Sequence, residues 1–362
     1  MSRRMRVLTL TAAAPLGPPY PGTAINVRGT SGSNVWVTVQ GTLTPPHDAL
    51  QWTGAAWTPR PYNSVDPANY TPTGLYVAGP DAVWVQNFYQ TNFWDGTAWA
   101  FDFTRYAGAG EVFKGLYGFG SDVWALHTEP TNPTLVIWTD HRSGLGSWAG
   151  GSMSNGTLYE SMEPSSGAAW DTEHIWVPIT ETEDGIHVQR QIVLGSLTGG
   201  GYAVEFDQAE VAVAVIGATS ATQAYGSTQG TFGGLDLLSR DGGSWNRTTL
   251  GPIGPSIDVW PQEAGGVAGD EWLVGYYRDS GGVHWPFAGH NTGGGWVWTD
   301  LASLLTALDA VNATLYSVVR LPDGTVWAAG VYSIADDPTG ALVLVMRYSG
   351  GAWAVVPVPA TI

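Results

Sequence analysis

The chain contains no cysteine. This excludes a disulfide framework, a thiolate nucleophile, a Cys-ligated zinc or iron–sulfur centre and a thioether-linked haem. It contains one lysine, Lys114, and its 14 basic residues face 31 acidic ones, for a formal net charge of −17 over 362 residues. Nucleic-acid binding needs a basic stripe that displaces counterions from phosphates, so no nucleic-acid partner is expected. Charge of this sign also disfavours anionic lipid. The longest clear apolar run, Ala341 to Met346, is far short of the ~18 residues of a membrane span, so no membrane insertion is expected. Charged residues of either sign make up only 12% of the chain, about half of the roughly 25% usual in globular domains.

Catalytic signatures are also sparse. The seven histidines include no His-Glu-x-x-His pair, and there is no Gly-x-Ser-x-Gly elbow. Gly108-Ala109-Gly110 lacks the third glycine of a dinucleotide fingerprint and the Lys-Ser/Thr of a phosphate loop. No cofactor, metal site or catalytic residue is expected. A pair of carboxylates for glycoside hydrolysis stays open, because such residues come from different loops.

What the chain does have is aromatics and turns: 19 Trp, 49 Gly and 44% hydrophobic residues. That is ample core material in a β-rich composition. Two tryptophan landmarks recur. The first is a small turn running into an apolar-Trp-apolar strand, as in Ser33-Asn34-Val35-Trp36-Val37, Asp81-Ala82-Val83-Trp84-Val85 and Ser121-Asp122-Val123-Trp124-Ala125. Further copies centre on Trp176, Trp272 and Trp327, and a degenerate one on Tyr225. The second landmark follows each first one and is a glycine turn closing on an aromatic. Its copies end at Trp57, Trp99, Trp148, Tyr202, Trp245, Trp296 and Trp353. Asp-Gly and Gly-Gly between alternating apolar runs are hairpin signals. Each unit therefore reads as four short strands, A to D, with the first landmark on B and the second at the start of D.

Seven four-stranded units arranged around an axis make an all-β, seven-bladed β-propeller, assigned to residues 25–362 as a single domain. Before it, Arg6-Val7-Leu8-Thr9-Leu10 reads as a strand, or Met1 to Ala14 as an export signal, with a Pro-rich link completing residues 1–24. Between the sixth and seventh units, Leu301, Leu304, Leu305 and Leu308 have helical spacing behind Asp300, predicting a short helix near 301–310 with Asp300 as N-cap.

The Ser-Asp-Val-Trp-Ala and Trp-Asp-Gly-Thr-Ala-Trp pieces resemble Trp-rich bacterial propeller repeats in which a "DVWAVG" strand precedes a "WDGxxW" hairpin, a type similar to tectonin-like lectins. The resemblance implies the propeller and an extracellular or cell-surface, lectin-like role. Ser239-Arg240-Asp241-Gly242-Gly243-Ser244-Trp245 resembles a shortened sialidase-type Asp-box, which is a turn motif without chemistry of its own.

In a propeller the A–B and C–D turns share one face, and the B–C and D–A connections share the other. Here the former are short and alike, whereas the latter vary, so a recognition surface is expected on the B–C/D–A face. Its candidate ligand-binding residues are Tyr62, Tyr89, Tyr106, His127, Glu181, Glu183, Asp184, Tyr277, Arg278, Asp279, Asp336 and Asp337. Aromatic rings stack on the apolar faces of sugars. The acidic clusters at 181–184 and 336–337 read as solvated turns or as oxygen ligands for calcium. The leading expectation is a non-enzymatic module that binds a glycan or a cell-surface ligand. A protein–protein scaffold in a bacterial or phage-derived surface assembly is the alternative, followed by a carboxylate-based glycoside hydrolase or lyase.

Overall fold

The computed structural model describes residues 21–40, 47–62, 72–87, 90–104, 112–128, 137–144, 146–153, 161–164, 168–183, 187–209, 212–220, 222–229, 235–241, 243–249 and 253–359. They form seven antiparallel sheets, each with strands in the order A-B-C-D. Blade 1 comprises Thr23–Ser31, Asn34–Gln40, His47–Trp52 and Trp57–Tyr62. Blade 2 is Pro72–Gly79, Ala82–Asn87, Gln90–Trp94 and Trp99–Thr104, and blade 3 is Val112–Phe119, Asp122–Thr128, Ile137–Ser143 and Trp148–Met153. Blade 4 has a divided strand A, Ser161–Pro164 and Ala168–Ala169, before Ile175–Glu183, His187–Gly195 and Ala203–Ala209. Blade 5 is Ala212–Ser220, Gln223–Gln229, Leu235–Asp241 and Ser244–Thr249. Blade 6 is Ser256–Val267, Asp270–Asp279, His284–Asn291 and Trp296–Asp300, and blade 7 is Ala310–Arg320, Val326–Ile334, Asp337–Ser349 and Ala352–Val355. The expected strand at Arg6–Leu10 and most of the Pro-rich link lie outside the described residues.

The turns form for local reasons. In the Asp95-Gly96 turn, Asp95 Oδ1 accepts hydrogen bonds from the backbone N–H of Thr97 and Ala98 and from Thr97 Oγ1, at 2.7–2.8 Å. Gly96 sits at φ 94°, which a side chain would strain. The donors arriving at Asp95 hold its carboxyl below the ordinary range.

The two tryptophan landmarks meet, but between blades rather than within one. The first landmark of each blade packs against the second landmark of the next. The pairs Trp36–Trp99, Trp176–Trp245, Tyr225–Trp296, Trp272–Trp353 and Trp327–Trp57 are all edge-to-face, with interplanar angles of 80–90°. Trp84 with Trp148 and Trp124 with Tyr202 share the corresponding clusters. Sheets that radiate from an axis touch at their inner strands and separate outwards, so a large wedge must fill the outer gap. Each buried indole removes roughly 200 Å² from water, about 5 kcal/mol as an upper value at about 25 cal/mol per Å². The Trp327–Trp57 pair joins blade 7 to blade 1 and closes the ring. Gly32 N–H donating to Asp323 Oδ2 (2.8 Å) and Gly22 N–H donating to the Ala341 carbonyl (2.7 Å) support the same seam.

One blade departs from the repeat at a buried position. The residue before the first landmark is Val35, Val83, Val123, Ile175, Ala224 and Val326 in six blades, each fully buried. In blade 6 it is Glu271, equally buried. Its Oε1 accepts the Gly269 N–H at 2.7 Å, and its Oε2 has no partner among the described residues.

The short helix expected near 301–310 is present; its type and its N-cap residue differ from the expectation. The connector is a 3₁₀ helix, Ala302–Leu308, with Leu301 at the N-cap position and Asp309 left-handed at its end. Asp300, the last residue of strand D of blade 6, does accept the Ala302 N–H (2.9 Å), but the Tyr277 O–H, donating at 3.0 Å, ties it to strand B of the same blade. The connector's turns close through i→i+3 bonds, Leu304 N–H to the Leu301 carbonyl (3.1 Å) and Asp309 N–H to the Thr306 carbonyl (3.2 Å), the form usual for so short a connector. Leu301 and Leu305 are buried against blade 7.

Candidate functional site

The structure relocates several of the expected binding residues. Tyr62 and His127 are 1% exposed and Tyr277 is fully buried, so none of them is an exposed stacking platform. Each lies on a strand rather than in a loop. His127 Nε2 is 2.9 Å from Asp140 Oδ2 inside blade 3, and the Tyr277 hydroxyl is committed to Asp300. Burial, reinforced by the neighbouring Asp300 carboxylate, pushes the Tyr277 pKa up.

Arg278 is ion-paired with Asp258 and lies over Trp260, 5.6 Å from the ring centre. Asp279 builds its turn, accepting the N–H of Gly281 and Val283 and of the Trp285 indole at 2.8–3.1 Å. These bonds lower its pKa.

Glu181 and Glu183 belong to strand B of blade 4, in register with Gln189 and His187, because the B–C hairpin extends its pairing through the segment expected to be a loop. Likewise, Ile334 pairs with Asp337, leaving Asp336 exposed in a tight turn and Asp337 at the start of strand C. Tyr89, Tyr106 and Asp184 lie outside the described residues. No cluster of three or more His, Asp or Glu able to hold a metal occurs among the described residues.

An axial cavity of about 530 Å³ is lined by strand A, or its immediate continuation, from all seven blades. Its aromatic wall comes from blades 2 to 4, with Tyr76, Tyr117, Phe119 and Trp170. Its charged wall is Arg28 of blade 1 against Glu263 of blade 6 (2.6 Å), where Glu263 Oε2 also accepts Ser317 Oγ–H and Val318 N–H from blade 7 at 2.5 and 2.6 Å. This network ties three blades together at the axis. Among the described lining residues Glu263 is the one carboxylate, and it is consumed by these bonds. The paired carboxylates of most glycoside hydrolases are therefore not found among the described lining residues of this cavity.

Open aromatic surface instead lies between the blades. A groove of about 600 Å³ runs between strand D of blade 1, carrying Pro59, Arg60 and Pro61, and the C–D hairpin of blade 2, carrying Asn92, Trp94, Trp99 and Phe101. Phe101 is 53% exposed, and Trp99 anchors the wall by donating its indole N–H to the Arg60 carbonyl at 2.9 Å. A second groove, about 480 Å³, lies between blades 6 and 7. Aligned on the second landmarks, its Tyr348, Ala352 and Trp353 stand where the first groove has Trp94, Ala98 and Trp99. Thr299 and Leu301 stand where the first has Arg60 and Tyr62.

The second groove is floored by Trp272 stacked at 3.8 Å on His290. Asp270 holds both rings, accepting from Trp272 Nε1 (3.0 Å), His290 Nε2 (2.9 Å) and Arg320 Nε (2.9 Å). Val297, 69% exposed, and Leu304 form its rim. Both grooves reach the C–D turns, which belong to the face that sequence reasoning set aside as uniform. The signal for them was present in the paired landmarks, but only after each was assigned to a different blade.

Fold and site together define a seven-bladed propeller with aromatic grooves between blades. No family model and no curated protein matches the chain. Among solved structures it is similar to YCF48 bound to D1 peptide, at 11% identity and a TM-score of 0.54, covering 92% of this chain and 95% of that one. It is also similar to a fungal lectin from Aleuria aurantia, described as a six-bladed propeller with a fucose recognition mode, at 14% identity, TM-score 0.45, and 77% and 95% coverage. A thermostable family-43 glycoside hydrolase matches at 11% identity and TM-score 0.38, over 68% and 93% of the two chains. At these identities the likeness speaks for the fold.

Proposed function

We propose that the protein is a non-enzymatic, lectin-like propeller that binds saccharides in its interblade grooves. The observation that carries this reading is the repetition of one groove design at two register-equivalent places. In each, an aromatic wall meets polar groups at the edge of a rigid sheet. Sugars present apolar C–H faces to aromatic rings and hydroxyls to polar neighbours. A rigid scaffold keeps the ordering cost of binding low. Saccharide-binding neighbours among the propellers agree with the reading. A role outside the cell or at its surface belongs to the same proposal.

A second reading has one observation behind it. On the B–C/D–A face of blade 6, Trp260 stacks on Tyr276 (5.1 Å) beside His284, Arg278 and the exposed Ile257. Such a patch suits a protein partner.

A glycan array with the intact chain tests the main proposal, followed by titration of the retained sugars against Phe101→Ala. Phe101 is exposed, so its truncation leaves the wedge packing intact. Binding of at least one glycan class, weakened about fivefold or more at an unchanged melting temperature, is expected for a stacking contact of roughly 1 kcal/mol. Retention of no sugar at high protein concentration, or indifference to Phe101→Ala and to changes at Val297, overturns it.

A further inference from the structure

We propose that the groove between blades 1 and 2 is selective for saccharides bearing a carboxylate; this rests on the reading that the grooves bind sugars. Two of the groove's polar side chains, Arg60 and Asn92, carry donors with no acceptor among the described residues. Arg60 is held by two contacts: its Nε–H donates to Gln51 Oε1 at 3.1 Å, and its guanidinium lies 4.8 Å from the centre of the Trp94 ring. Its two terminal nitrogens have no partner among the described residues.

Asn92 adds a second donor. It is buried, its Oδ1 accepts from Gln90 Nε2 at 3.1 Å, and its Nδ2 has no partner among the described residues. Both residues line the same groove, and none of its described lining residues is a carboxylate.

Four other arginines are neutralised within the protein: Arg28 by Glu263, Arg142 by Asp102, Arg278 by Asp258 and Arg320 by Asp270. In a chain with 31 acidic residues and 14 basic ones, a guanidinium that is fixed in place at a groove with no carboxylate partner among the described residues is open to one from a ligand. A carboxylate accepts through two oxygens and donates nothing, which matches a guanidinium fork plus an amide N–H. The sugar ring carrying it would lie against Trp99 and Phe101.

The blade 6/7 groove is the internal comparison. At the position of Arg60 it has Thr299, and at the position of Asn92 it has Met346, fully buried and apolar. The donor pair is therefore an addition to one groove and not part of the wedge design. The second groove suits neutral sugars.

The test uses two matched probes, tri-galacturonic acid and its methyl ester, titrated calorimetrically against the full chain. A charge-assisted pair of this kind favours the acid roughly tenfold to a hundredfold over the ester. The preference falls as salt is raised from about 50 to 500 mM, because the site is partly exposed. Arg60→Gln abolishes the preference, bringing the acid to the affinity that the same variant shows for the ester. Arg60→Lys, which keeps the charge without the fork, gives an intermediate value.

Equal affinity of acid and ester for the unaltered chain overturns the proposal while the sugar reading stands. A preference that survives Arg60→Gln with the fold intact overturns it as well. Binding of neither probe, together with an empty glycan array, removes both readings at once.

Discussion

Replacing Glu271 by an apolar residue should stabilise the protein. The position is occupied by Val, Ile or Ala in the other six blades, and all seven residues are fully buried. Withdrawing an ionised carboxylate from water costs several kcal/mol unless partners replace its hydration. Here the described partners amount to one, the Gly269 N–H, and Gly269 is exposed in the A–B turn, so water takes over that donor when the carboxylate is gone. Exchange of buried ionic groups for packed hydrocarbon of similar volume is often neutral or stabilising, by about 1–4 kcal/mol where an ion pair is replaced.

Leucine is close to glutamate in volume, and we expect Glu271→Leu to gain about 1–3 kcal/mol, less roughly 1 kcal/mol for the lost hydrogen bond where the loop does not relax. Unfolding entropy of about 2.1 cal/mol/K per residue makes each kcal/mol worth only roughly 1–2 °C here, so the guanidinium midpoint at neutral pH is the better readout than Tm. The reciprocal change, Val123→Glu at the equivalent position of blade 3, should destabilise by about 3 kcal/mol or more. If Glu271→Leu instead lowers stability by more than about 1 kcal/mol, the carboxylate has a structural task and the reasoning from blade equivalence fails.

Other expectations follow from the wedge and the Asp270 hub. In a double-mutant cycle of Trp272→Phe and Trp353→Phe, the coupling should be about 0.5–1.5 kcal/mol, the worth of an edge-to-face aromatic pair beyond its area. Coupling indistinguishable from zero would count against pairing between successive blades. Burial opposes ionisation of Asp270, but the hydrogen bonds from His290, Arg320 and Trp272 outweigh it and hold its pKa below the ordinary value. Its contribution to stability is thus complete above the unfolded-state pKa near 4 and is lost as pH falls through the lower folded value. Asp270→Asn should therefore flatten the acid limb of a stability–pH curve while lowering its plateau, and an unchanged acid limb would refute the assignment.

The number of blades, their strand order and the two faces of the ring were legible because the repeat is written in residues whose job is local. Asp95-Gly96 makes a turn whatever surrounds it, and Val-Trp-Val alternates in any half-buried strand. What the sequence did not display was the partner of each tryptophan. Trp36 and Trp99 are edge to face although they are 63 positions apart in the sequence, because adjacent sheets and not adjacent strands bring them together.

The site was obscured for the same reason. Arg60 and Phe101 belong to different blades, and neither stands in a variable loop. Tyr62 and Tyr277 looked like exposed aromatics because they end strands, yet the wedge between blades swallows them. Glu181 and Asp337 looked like loop acids until strand pairing ran through them. Polar residues at strand ends are ambiguous in sequence, since a hairpin can lengthen by a pair of residues for little free energy.

The interblade grooves exist only in a closed ring, and the absence of cysteine makes closure directly measurable. A Cβ placed on residue 32 lies 2.8 Å from Asp323 Oδ2 and 3.8 Å from Asp323 Cγ across the seam between blades 1 and 7, so side chains at the two positions touch. Under mild oxidation, Gly32→Cys with Asp323→Cys should form an intramolecular disulfide in nearly every monomer, seen as faster non-reducing migration and a mass two daltons lower. Two free thiols, or bridges only between chains, would mean that the first and last blades do not meet.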